Sequence, residues 1–283
     1  VVTSPYTTIP ACANTNLNST QTVTVQMNPT ATLTTVPSRL CHGATVTFTV
    51  SVGSVNTGDK WTLNYKLDAA AETVTGTGPG TFTFTTTATV TATSDVLALV
   101  DITNNSTQDN CISSLTDSRT IAVDATTIAG VIGHDTTVCK GGSGFMVQTA
   151  PGVGSIVRWE SRVKGTTPWI GITNTSTTNN FNNLVDTTEF RAIYQNGVCL
   201  EDASNVKTAT PRALPYAEIV STDDTICAGK PTTFVIKVTN VEVGQSFSVK
   251  YVVGSTNPTF TATNTASGLH TISIAAGVFT STT

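Results

Sequence analysis

Residues 41–67 read CHGATVTFTVSVGSVNTGDKWTLNYKL. A cysteine opens the stretch and a glycine-containing turn follows. The next run places Val46, Phe48 and Val50 on one face and Thr45, Thr47, Thr49 and Ser51 on the other, the period of two that a strand demands. Trp61 stands 20 positions after Cys41. The same spacing recurs from Cys139 to Trp159 and from Cys227 to Phe247. Sandwiches of the immunoglobulin type bury an aromatic residue against a cystine. The spacing therefore predicts an all-β chain of tandem Ig-like (Greek-key) β-sandwich repeats, disulfide-stapled and strung like beads, with Trp61, Trp159 and Phe247 as core aromatics.

The repeats can be read in register. Their openings are SRLCHGATVTFTVSV (38–52), DTTVCKGGSGFMVQTA (135–150) and DTICAGKPTTFVIKV (224–238). After the aromatic, WTLNYKL (61–67) aligns with FSVKYVV (247–253), pairing Tyr65 with Tyr251, whereas WESRV (159–163) puts Val163 in the tyrosine slot. The expected division is 1–28 as the end of a preceding repeat, 29–124 as one repeat, 125–213 as a repeat of a second subtype, and 214–283 as the start of a further one. Short linkers are expected at 27–34, 122–130 and 209–218. Each complete repeat closes with a second cysteine, so Cys41 is expected to bond Cys111 and Cys139 to bond Cys199. Cys12 and Cys227 would then have partners outside the chain. A Cys12–Cys227 bridge and other connectivities remain open alternatives.

Charged residues make up 11% of the 283 and the net charge is −4, against ~25% charged in ordinary soluble domains. No Lys/Arg cluster marks a nucleic-acid footprint. Threonine is about one residue in five, which suits a pleated, half-buried surface. Six cysteines at domain-like spacing point to an oxidising, extracellular compartment, and no close C-x2-C pair suggests zinc. No stretch approaches the ~20 apolar residues of a membrane span. VVTSPYTTIP lacks the basic and apolar regions of a signal peptide. No catalytic motif stands out and no cofactor is expected, so the reading is of a non-enzyme.

Several segments are candidates for surface function. TFTFTTTATVTAT (81–93) places Thr81, Thr83, Thr85, Thr87, Thr89, Thr91 and Thr93 at every second position. Its plain reading is a solvent-facing strand side opposite Phe82, Phe84 and Val90. Asp-Thr-Thr or Asp-Thr-Ile occurs at Thr136, Thr187 and Thr225 and resembles a bacterial O-glycosylation motif. Its plain reading is ordinary turn chemistry. Trp169 is the best candidate for an aromatic platform. Glu201-Asp202 and Asp223-Asp224 are the adjacent carboxylate pairs, too few oxygens for calcium.

The run KWTLNYKLDAAAETVTGTGPGTFTF (60–84), and the longer VRWESRVKGTTPWIGITNTSTTNNFNNLVDTTEFRAIYQNGVC (157–199), resemble the Ig-like repeats of giant surface adhesins from gliding bacteria that export proteins by the type IX route. The resemblance implies an extracellular, cell-surface location and a part in adhesion or gliding. A surface or polysaccharide ligand of unknown identity is expected beside it, and neighbouring copies of the chain as further partners. Phe247 departs from the pattern, standing where the other repeats have tryptophan. Two other functions stay open: a subunit of an extracellular structural filament, and carbohydrate-binding accessory repeats of a secreted enzyme.

Overall fold

Alternating β-branched and polar residues build strands from one end of the described chain to the other. The computed structural model describes residues 25–106, 110–222, 225–253, 256 and 258–279. Every regular element among them is a β-strand. Cys12 and the Asp223-Asp224 pair lie outside the described residues.

The first set of strands comprises β1 (Thr30–Thr35), β2 (Arg39–Cys41), β3 (Thr45–Gly53), β4 (Lys60–Leu67), β5 (Ala70–Thr77), β6 (Gly80–Thr89), β7 (Ser94–Asn104), β8 (Cys111–Ser114) and β9 (Ser118–Asp124). One sheet runs β1-β3-β6. The other runs β2-β9-β7-β4-β5, with β8 on β7. The chain changes sheet after β1, β2, β3, β5 and β6, the Greek-key order of an Ig-like sandwich. Only β2 runs parallel to its neighbour, β9. Val46, Phe48 and Val50 from β3 meet Trp61, Leu63 and Tyr65 from β4 in one buried cluster. Burying each such side chain is worth ~1.5–3 kcal/mol. The indole N–H of Trp61 would be orphaned there, but it donates to the Gly78 carbonyl at 2.9 Å.

The second set repeats the plan with β10 (Val131–Gly133), β11 (Thr136–Cys139), β12 (Gly142–Ala150), β13 (Ser155–Val163), β14 (Ile170–Ile172), β15 (Thr178–Leu184), β16 (Thr188–Gln195), β17 (Asp202–Ala203) and β18 (Lys207–Arg212). Its sheets are β10-β12-β15 and β11-β18-β16-β13-β14, with β17 on β16. Trp159 is fully buried among Ile132, Met146 and Ala192. Its indole N–H donates to the Ser176 carbonyl at 2.9 Å. In both sandwiches the acceptor lies 17 residues beyond the tryptophan.

The third set holds β19 (Tyr216–Thr222), β20 (Thr232–Thr239), β21 (Gln245–Lys250), β22 (Thr259–Thr265) and β23 (Gly268–Ile274). β19-β20-β23 form a sheet and β21-β22 a hairpin. Phe234, Ile236 and Val238 are buried, and Phe247 packs against them half-buried. Phe234 meets Tyr251 edge to face at 5.1 Å, as Phe48 meets Tyr65 at 4.9 Å. Met146 and Val163 occupy those two places in the second sandwich, so it lacks the aromatic pair.

The chain divides into two compact units. One holds the described residues up to Thr126 together with Asn196–Cys199. The other holds Thr127–Gln195 and the described residues from Leu200 onward. The segments expected to be linkers are strand in part, and only 125–130 and 213–215 lie between the strand sets. Residues 30–34 belong to β1, 122–124 to β9, and 209–212 to β18. Pro211 is accommodated because the rungs of β18 on β16 stop at Ala209, leaving Pro211 paired only with Val138 of β11.

Candidate functional site

Among the described residues no cystine joins two cysteines of one repeat. Cys41 is bonded to Cys199, with the two Cα atoms 4.9 Å apart and 158 residues between them in sequence. The expected Cys41–Cys111 and Cys139–Cys199 bridges are ruled out by strand register. Cys41 stands opposite Asp124 on β9, beyond the rung that pairs Ala122 with Ser94 at the start of β7. Cys111 stands opposite Asn104 at the other end of β7. Ten strand steps separate those ends, roughly 33 Å at ~3.3 Å per residue, whereas a disulfide spans less than ~7 Å between Cα atoms. The second sandwich has the same geometry. Cys139 pairs with Arg212 beyond the Thr188 end of β16, and Cys199 follows its Gln195 end. Cys139 and Cys227 are exposed thiols.

Asp124 organises the stapled corner. One carboxylate oxygen pairs with Arg39 Nε at 3.0 Å, and the other accepts the Val198 N–H at 2.9 Å. The amide of Asn196 donates to the Ala125 carbonyl at 2.7 Å. Gly197 has φ +53°, and a Cβ there would collide with the Asp124 carboxylate, so the turn requires glycine. Cys199 is thereby delivered, nearly fully buried, to Cys41.

Two exposed faces differ sharply. On the first sandwich, Thr81, Thr83 and Thr85 do point outward from β6 and continue a hydroxyl face across β3. Thr47 and Thr85 share a hydrogen bond of 2.9 Å, and Thr49 and Thr83 one of 3.2 Å. Thr91 and Thr93 lie past the end of β6. On the second sandwich, β13 and β16 carry a charged lattice. Glu160 is almost fully buried between Arg158 at 2.8 Å and Arg191 at 2.6 Å. Arg158 also binds Glu201 at 2.6 Å, and Arg162 binds Glu189 at 2.7 Å. The hydrogen bond and charge of Arg158 hold the Glu201 carboxyl below the usual carboxylate range. Trp169 is not a bare platform, because the guanidinium groups of Arg162 and Arg191 lie over its ring at 4.4 and 4.2 Å.

Of the Asp-Thr positions, Thr136 and Thr187 are half-buried and Thr225 is exposed. Asp135 is tied to Thr208 N–H and Lys207, which hold its carboxyl low. Asp202 accepts the Ala129 N–H, and Glu201 is engaged by Arg158. Among the described residues no cluster of three or more His, Cys, Asp or Glu forms a metal site.

A family model described as a domain of unknown function (DUF8696) matches residues 128–212, the span of the second sandwich. No curated protein matches the chain. Among solved structures, a D1–D4 ectodomain fragment of ICAM-5 is similar at 9% identity and a TM-score of 0.35, covering 87% of this chain and 75% of that one. The Ig-like assignment rests on the strand order itself.

Proposed function

We propose that this chain is a structural segment of a long extracellular, repetitive surface adhesin, spacing and presenting binding surfaces at the cell surface, with gliding motility as a further setting. The observation that carries the reading is the Cys41–Cys199 disulfide. A buried cystine fits an oxidising compartment. It also locks 158 residues of chain, ~550 Å if fully drawn out at ~3.5 Å per residue. A spacer that must keep its length under tension gains from such a lock. The adhesin-like repeat motifs and the outward threonine face support the same reading, and Thr136, Thr187 and Thr225, outside that face, are proposed as glycan acceptors.

Two measurements test it. Pulled singly between its ends, the chain should lengthen by ~550 Å more in reductant than without it. In the producing cells, deleting these repeats should weaken attachment and leave secreted hydrolase activity intact. Unchanged attachment with impaired polysaccharide breakdown would instead favour accessory repeats of an enzyme.

A further inference from the structure

The first and second sandwiches treat the same corner differently. In the first, the mouth between the sheets beside β5 and β6 is closed. Leu63 and Tyr65 fill it from β4, and Phe84 packs in from β6. A polar clasp then seals it: Tyr65 Oη donates to Glu72 Oε2 at 2.8 Å, and Glu72 accepts the N–H groups of Thr87 and Ala88 at 2.8 and 2.7 Å.

Equivalent positions in the second sandwich follow from the shared cysteine spacing and strand register. Ser161 stands for Leu63 and Val163 for Tyr65. The rung Met146–Asn179 matches Phe48–Phe84, so Asn179 stands for Phe84. β14 is three residues, Ile170–Ile172, and supplies no acid for a clasp. Phe181 occupies the place of Thr86. Gly144 makes room for it where the first sandwich has Val46, since a Cβ on Gly144 would overlap the Phe181 ring. Three large side chains are thus exchanged for small or polar ones at one spot.

The result is an open cleft of about 380 Å³ between the sheets, against β15 and the turn that follows it. Phe181, stacked on Phe190 at 5.3 Å, forms an apolar wall. Val163, Ile172, Leu184 and Val185 add apolar lining, Asn180, Asn182, Asn183 and Asp186 add polar lining, and no Lys or Arg is among the lining residues. At the back, Asn179 is 1% exposed. Its Oδ1 accepts from Asn174 Nδ2 at 3.1 Å, while its own Nδ2 has no hydrogen-bond partner among the described residues. A buried donor left unmatched costs ~1–3 kcal/mol.

We infer that this cleft binds a sugar unit of a neutral saccharide. Each carboxamide both donates and accepts, as hydroxyl groups do. The phenyl wall suits the C–H face of a sugar ring. An anionic ligand would meet the Asp186 carboxylate and no counter-charge, and an apolar one would leave Asn179 unmatched. The volume falls within the usual range for small-ligand sites, ~300–1,000 Å³. The site is independent of the spacer role and would serve whatever protein carries the chain.

The test is a ¹H–¹⁵N NMR titration of the whole chain with cellohexaose, chitohexaose, xylohexaose and mannohexaose, with inorganic phosphate as control. At least one oligosaccharide should shift the Asn179 side-chain amide and the Asn182 and Asn183 backbone signals saturably, and phosphate should not. Asn179→Leu should weaken binding about tenfold, the effect of losing roughly one buried hydrogen bond, while keeping a dispersed spectrum. Asn182→Ala, a change at an exposed rim residue, should weaken it too and guards against a folding defect in the first variant. The inference is overturned if no oligosaccharide moves these signals, if only phosphate does, or if both variants bind as well as the parent. A long-lived water at Asn179 Nδ2 that persists through the titration would overturn it as well.

Discussion

The thiols of Cys41 and Cys199 meet across 158 residues of sequence because Asp124, next to Cys41 in the β2–β9 rung, also seats the turn that carries Cys199. On chain-entropy grounds a loop of that length stabilises the folded state by about 5 kcal/mol. Cys199→Ala should therefore lower the stability of the first unit by several kcal/mol in urea unfolding, and adding reductant to the parent should reproduce the loss. An unchanged unfolding curve in reductant would show that the bridge contributes little.

Gly197→Ala should loosen the same corner without touching a sulfur atom. The substitution forces a Cβ into the Asp124 carboxylate at a positive φ, a combination that costs more than the ~1 kcal/mol of an ordinary glycine replacement. The expected signs are a slower formation of the disulfide on refolding and faster reduction of the native protein. Rates equal to those of the parent would mean that Asp124 does not set the turn.

The Tyr65–Glu72 clasp should make the first sandwich acid-sensitive. Burial pushes the Glu72 carboxyl up, but the N–H groups of Ala88 and Thr87 and the Tyr65 hydroxyl together outweigh it and hold the group below its ordinary value. A depressed folded-state value means the stabilisation is complete above the ordinary carboxylate range, near pH 4.5, and is lost as pH falls through the folded value. Thermal melts between pH 7 and pH 3 should drop less steeply in Glu72→Gln than in the parent. Tyr65→Phe should cost about 1 kcal/mol at neutral pH.

Trp61 sets a steric limit on its neighbour strand. Gly76 pairs with it across β4 and β5, and a Cβ on Gly76 would run into the indole ring. Gly76→Ala should destabilise the first sandwich by ~1–3 kcal/mol, as overpacking does, and shift the tryptophan fluorescence. A neutral effect would show that the indole has room to move.

Much of the fold was legible in residues 41–67. The alternation of Val46, Phe48 and Val50 with threonine named the buried face, and all three are fully buried. The spacing to Trp61 and Trp159 located two fully buried indoles. The disulfide pairing was not legible. Sequence distance between cysteines does not say which end of a strand each occupies, and β7 and β16 hold the expected partners at opposite ends. The linker segments are legible but their bounds are not, since Pro211 and the small residues around it serve a strand with one free edge as well as they serve a loop. The cleft was half visible, with Val163 standing in the tyrosine slot. Asn179 gave no signal, because an asparagine within TNNFNNL reads as surface, and only the register with Met146 turns it inward.

The most direct test of the account is a peptide map of the native protein under non-reducing conditions after alkylation of accessible thiols. The Cys41 peptide should be found linked to the Cys199 peptide, and Cys139 and Cys227, both exposed, should carry the alkyl label. A Cys41–Cys111 or Cys139–Cys199 linkage would contradict the strand register described above and, with it, the stapled corner on which the proposed function rests.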